Sequence, residues 1–159
     1  MKNISLLIFF LVCFIKINAQ EKKEINAGKL IDIVEKGDFT NLVKLVSSLH
    51  YIVLDSSKEK DGSLFYYAKE PKIKGSVLAC SADSKKKITE LTYNTFSKEE
   101  WKELKSQLNK IGFKSSGIHR GKSDVVESED FEKGEILVAT AIRKDKGGDV
   151  FYEFTFIKF

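Results

Sequence analysis

The chain has 159 residues, with 27 lysines and arginines against 23 acids, a net charge of +4, and 42% hydrophobic residues. That length is enough for one apolar core, and lysines alternate with Asp and Glu along most segments, which excludes the basic stripe of a nucleic-acid binder. Two cysteines and two histidines at scattered positions exclude a disulfide framework and give no metal-ligand spacing.

Residues 1–19 have a short basic start at Lys2, an apolar core at 4–15, and Ile17-Asn18-Ala19 ahead of Gln20. This is the layout of a secretory signal peptide cleaved after Ala19, and the run is too short for a membrane anchor. The implied address is exported, either periplasmic or secreted. Cys13 leaves with the leader, because Leu11-Val12 before it lack the small residue expected ahead of a lipidated cysteine. Lys2 and Lys16 leave too, taking the net charge to +2, and Cys80 remains as a lone thiol.

Residues 20–37 read as a polar leader and a short helix, with Asn26 as N-cap, Leu30, Ile31, Ile33 and Val34 at helical spacing, and Gly37 as the stop. This helix is expected to cover an edge or an end of the body that follows.

From residue 38 the chain reads as a tandem duplication. Lys74-Gly75-Ser76-Val77-Leu78-Ala79-Cys80-Ser81-Ala82 stands 59 positions before Lys133-Gly134-Glu135-Ile136-Leu137-Val138-Ala139-Thr140-Ala141. One ungapped offset also pairs Leu45 with Leu104, Leu49 with Leu108, Ile52 with Ile111 and Tyr93 with Tyr152. Repeat 1 spans 38–96 and repeat 2 spans 97–159. Each opens on an N-cap, Asp38 or Ser97. The second adds a capping box, Ser97-Lys98-Glu99-Glu100, and a Phe96/Trp101 staple. The apolar stripes are Leu42, Leu45, Leu49, Ile52 and Trp101, Leu104, Leu108, Ile111.

Strand candidates follow each helix: 51–56, 63–69, 75–82 and 87–95 in the first repeat, then 111–116, 124–128, 134–143 and 149–158 in the second. Asp61-Gly62 and Gly147-Gly148 suit hairpins. The fold class is therefore α+β: a helix plus four-stranded antiparallel unit, twice, making one sheet of about eight strands with helices on one face. This layout, over residues 38–159, resembles the β-lactamase inhibitor protein family and small exported tandem-repeat proteins of Bacteroidetes. The resemblance carries over no individual binding residue.

Catalytic candidates are sparse. Cys80 reads as a buried mid-strand thiol and His50 as a helix-end residue. His119-Arg120 with Asp124 is the one local acid-base grouping, set in a turn without a nucleophile. The acidic run Glu127-Ser128-Glu129-Asp130 lacks a calcium loop's glycine turn. No cofactor motif is present, and the reading is non-enzymatic. Phe65, Tyr66 and Tyr67 place adjacent aromatics on both faces of one strand, so at least one ring faces outward as an anchor for a protein partner. The leading expectation is an exported protein-binding module of inhibitor, immunity or envelope accessory type. The alternative is a carrier of a small apolar ligand between sheet and helices, with Ala79, Ala82, Ala139 and Ala141 leaving gaps beneath Trp101.

Overall fold

The computed structural model describes residues 25–72, 74–120 and 124–159. Residues 1–24, with the expected leader at 1–19 and the polar residues 21–24, lie outside the described residues. In chain order the elements are α1 (Ala27–Lys36), α2 (Phe39–Ser48), β1 (Ile52–Lys58), β2 (Leu64–Lys69), β3 (Val77–Ala82), β4 (Ile88–Thr95), α3 (Lys98–Ile111), β5 (Lys114–Arg120), β6 (Val125–Lys133), β7 (Ile136–Lys144) and β8 (Val150–Lys158).

The strands form one eight-stranded sheet in the order β1-β2-β3-β4-β8-β7-β6-β5, every neighbouring pair antiparallel. Each half is a helix followed by a four-stranded meander. The halves join where β4 meets β8, with Thr92 opposite Thr155.

The caps follow their side-chain chemistry. Asn26 accepts from the Lys29 N–H at 2.9 Å, and Asp38 from Thr40 and Asn41. Gly37 takes φ +60° at the end of α1, where an added Cβ would stand 2.7 Å from Lys87 Cγ. Ser97 accepts from the Glu100 N–H at 3.1 Å, but the expected capping box is only half made. Glu100 turns instead to β4, accepting from the Tyr93 and Thr95 hydroxyls at 2.7 and 2.6 Å. Desolvated phenol and threonine groups need a partner more than an N–H that Thr95 Oγ1 already satisfies.

Alternation puts one face of the sheet under the helices. Tyr66, Cys80, Leu91, Phe156, Val138 and Phe131 stand in one row across six strands, all buried. Above them lie Leu30, Val34, Leu42, Val46, Leu104 and Leu108. Each fully buried side chain of this size contributes roughly 1.5–3 kcal/mol. Helix α1 does not cover an edge. It lies over β4 and β8 at the centre and against α3, its first N–H donating to Gln107 Oε1 at 2.8 Å. Its buried residues, Ala27, Leu30, Ile31, Ile33 and Val34, form the apolar face that packs there, while Lys29, Asp32, Glu35 and Lys36 are exposed.

The two halves do not keep one ungapped offset. Their N-caps, Asp38 and Ser97, are 59 apart, but α2 ends at Ser48 and α3 runs to Ile111, about one turn further on the repeat numbering. The left-handed residues that close them, His50 (φ +58°) and Gly112 (φ +96°), are 62 apart. The same 62 relates the β3–β4 and β7–β8 turns. Asp83 accepts from the N–H groups of Lys85 and Lys87, Asp145 from those of Gly147 and Asp149.

The shorter helix overturns the expected first stripe. Leu42 and Val46 are buried, whereas Ile52 has passed into β1 and is exposed. In the second stripe Trp101, Leu104 and Leu108 are buried and Ile111 is largely exposed. Cys80 and Ala139, paired at the offset of 59, lie on opposite faces of the sheet.

Candidate functional site

Every second residue of the strands faces away from the helices, and the registers assemble these residues into rows. One row runs Phe65, Ser81, Glu90, Ile157, Leu137. The next runs Tyr67, Ala79, Thr92, Thr155, Ala139, Asp130. A third holds Val77, Asn94, Glu153 and Ala141. The middle row is small at its centre, where Ala79, Thr92, Thr155 and Ala139 span β3, β4, β8 and β7. Larger side chains border it: Phe65, Ile157 and Leu137 on one side, Tyr67 at its end. The result is a strip of small side chains across the seam, a trough in side-chain size, bordered by Phe65, Ile157 and Leu137 but also by Ser81, Glu90, Asn94 and Glu153.

Of the three aromatics singled out in the sequence, strand alternation places Phe65 and Tyr67 on this face and Tyr66 on the other. Phe65 is 36% exposed and Tyr67 half-buried. Tyr66 is 5% exposed and packs edge-on against Phe39, ring centroids 5.5 Å apart. It belongs to the core and is not available to a partner. Ala79, Ala139 and Ala141 share the outward rows, so they leave no gap beneath Trp101, which packs on Tyr152 of the covered face.

Polar groups surround the trough. Asn94 Oδ1 is a buried acceptor without a hydrogen-bond partner. Arg143 Nε donates to Glu153 and Nη1 to Asp124, each at 2.8 Å. Burial works against the Arg143 charge, but the two carboxylates prevail and raise its pKa. Beside Phe65 an open notch of about 750 Å³ is lined by Asp55, Glu59, Asp61 and Asp83 with Ser57, Ser81 and Thr89. Hydrogen bonds from Ser63 hold the Asp61 carboxyl below its ordinary value.

The other candidates are dispersed. Cys80 is buried and unpaired by disulfide, and desolvation pushes its thiol up to about 12, far from a nucleophilic thiolate. His50 is exposed, its N–H donating to Ser47 O just beyond α2. His119 and Arg120 lie on the edge strand β5 and not in a turn, because β5 and β6 pair further than the apolar pattern reaches. Arg120 stands opposite Glu127, while the Asp124 carboxylate is taken by Arg143. The acidic run alternates faces: Asp130 joins the open face, and Glu129 turns beneath α3 to pair with Lys105 and accept from Ser115 Oγ at 2.5 Å. No group of three His, Cys, Asp or Glu among the described residues can hold a metal ion.

Two features were not anticipated. Under the start of α3, Tyr51 shares a hydrogen bond with Ser76, and Glu70 pairs with Lys72. Burial pushes the Tyr51 hydroxyl up to about 12, and burial followed by the Glu100 charge also raises Tyr93. The Lys72 contact holds Glu70 below the usual range. These shifts leave both phenols protonated beside a weakly basic Glu70 carboxylate. The second feature is the β1 edge, where Ile52, Val53 and Leu54 are 53, 49 and 55% exposed. A strand was expected at 51–56, but its place at the end of the sheet depends on the pairing order. No family model matches the chain, and neither does any curated protein or solved structure. No helix among the described residues is long and apolar enough to cross a membrane.

Proposed function

We propose that the chain is an exported, non-catalytic binding module whose helix-free sheet face contacts another protein, in the manner of an inhibitor, an immunity protein or an envelope accessory factor. One observation carries the reading: a row of small residues across β3, β4, β8 and β7 has Tyr67 at its end and a bordering row of Phe65, Ser81, Glu90, Ile157 and Leu137 on the face without helices. Such a trough accepts a protruding partner segment, and aromatics at its border are effective anchors. The leader at 1–19 would deliver the module across a membrane. The arrangement of two helix-plus-meander halves about the β4–β8 seam supports an origin by duplication, followed by a change of about one helical turn in one copy.

The test is affinity capture from envelope and secreted fractions with residues 20–159 as bait, alongside a Phe65→Ala, Tyr67→Ala variant. A stoichiometric partner lost in the variant, which remains folded by far-ultraviolet dichroism, supports the reading. Equal capture by both proteins sinks it.

A second reading, a carrier of a small apolar ligand, draws on a groove of about 520 Å³ between α1, the end of α3 and the β6–β7 turn. Ile31, Ile111, Phe113 and Ile136 give it an apolar lining, with Asp32, Glu35 and Lys133 around it. Native mass spectrometry decides: a lipid-sized adduct abolished by Ile136→Glu favours the carrier over the protein binder.

A further inference from the structure

The chain as a whole carries a net charge of +4, yet the rows that hold Phe65 and Tyr67 on the helix-free face are acidic. Followed across the sheet, the row of Phe65 takes in Glu90 on β4 and ends at Glu132, which stands across from Lys114 on β5. The row of Tyr67 has Asp55 at one end and Asp130 at the other. Lys114 is the one base in either row among the described residues. Glu90 and Asp55 are exposed and Asp130 is half-buried. No ion pair among the described residues reaches any of the three, and Arg143, further along the strands, is held by Glu153 and Asp124.

The position of Glu90 makes its charge a condition of docking. It lies between Ser81 and Ile157 in the row of Phe65, so a partner that covers Phe65 and Ile157 covers Glu90 as well. A carboxylate left without a counter-charge under a dry contact opposes that contact. A wholly apolar segment therefore fits this face poorly. A phosphate-bearing or acidic one fits it worse, because like charges would meet.

We infer that the segment received by this face is cationic: an extended stretch of protein that sets lysine or arginine against Glu90 and Asp130, with an apolar side chain between them over the small row. The inference rests on the reading that a protein docks here and adds the charge of what docks. β4 and β6 are three strand spacings apart in the sheet, about 14 Å, which roughly four residues of extended chain span. Asp55 on β1 lies three spacings from β4 on the other side, so the acids recur at a similar interval across the sheet. Beside Phe65, the notch lined by Asp55, Glu59, Asp61 and Asp83 has no lysine or arginine in its lining, and the negative field continues past the border. Such a field steers a basic segment toward the face and weakens with salt.

Amide NMR shifts of isotope-labelled residues 20–159 test the inference with two synthetic peptides. Both have a central Trp; one sets lysines about four positions apart around it, the other glutamates. The lysine peptide should shift the amides of Phe65, Glu90, Thr92 and Asp130, and the glutamate peptide should not. Glu90→Gln combined with Asp130→Asn, which removes charge and keeps size, should weaken the lysine peptide about fivefold at low salt and much less at high salt. Glu99→Gln with Glu103→Gln, at exposed acids of α3, should leave its affinity unchanged, and far-ultraviolet dichroism reports that each variant is folded. Shifts confined to α3, an equal response to the glutamate peptide, no response to either, or undiminished affinity in the Glu90 and Asp130 variant overturn the inference. The docking reading is judged separately. If a captured partner is lost in the Phe65→Ala, Tyr67→Ala variant but held fully by the Glu90→Gln, Asp130→Asn one, that reading stands and the cationic partner falls.

Discussion

Tyr66 and its two neighbours share a strand and an aromatic character, yet alternation gives them opposite consequences. Tyr66→Ala empties a buried site against Phe39 and should cost about 3 kcal/mol in urea unfolding. Phe65→Ala and Tyr67→Ala should each cost under about 1 kcal/mol while weakening capture of the partner. Glu129 offers a pH test at the same scale. Burial alone would raise its pKa, but hydrogen bonds from Lys105 and Ser115 prevail and hold it below the ordinary carboxylate value. The stabilisation is therefore complete at neutral pH and is lost as the pH falls through the lowered folded-state value. Glu129→Gln strands Lys105 beneath Trp101 and Phe131, whose rings its ammonium approaches at 4.3 and 5.7 Å. It should cost about 3 kcal/mol at neutral pH and remove part of the acid limb of a stability profile. An unchanged profile would show that the pair does not couple folding to protons.

At the scale of elements, the β2–β3 loop is held by close backbone approach. A Cβ on Gly75 would stand 2.5 Å from Glu70 O, within the turn where Glu70 N–H donates to Ser76 O at 2.9 Å. Gly75→Ala should cost about 1–3 kcal/mol, with the loss localised by faster amide exchange at 70–76. Most elements were legible in the sequence because their signals are local. Asn26, Gly37, Asp38 and Ser97 sit at helix boundaries, and alternation in β8 separates Phe154 and Phe156 from Thr155 and Ile157. What was not legible depended on distant partners. A repeat match that pairs Ile52 with Ile111 does not reveal that α2 stops a turn early, since Ile52 suits a helix stripe and a strand equally well. The central position of α1 depends on contacts with β4, β8 and Gln107, remote in sequence. The candidate face was legible only as a strand with rings on both sides; which ring faced outward depended on the β2–β3 register.

For the whole molecule, one sheet and one continuous core mean that neither half is a separate unit. Urea unfolding followed by Trp101 fluorescence and by far-ultraviolet dichroism should give coincident transitions, and two resolved steps would show independent halves. The β4–β8 seam has a further consequence for the route to that state. Six of the seven strand pairings join strands consecutive in sequence, but in the seventh Thr92 and Thr155 must meet over 63 residues. Closing that loop is the slow, entropically demanding event. The meanders should be able to form before it, and the seam should set the refolding rate. A chain cut between Phe96 and Ser97 would turn this intramolecular closure into a bimolecular one. Mixing the two fragments should then restore the native spectrum at a rate proportional to their concentration.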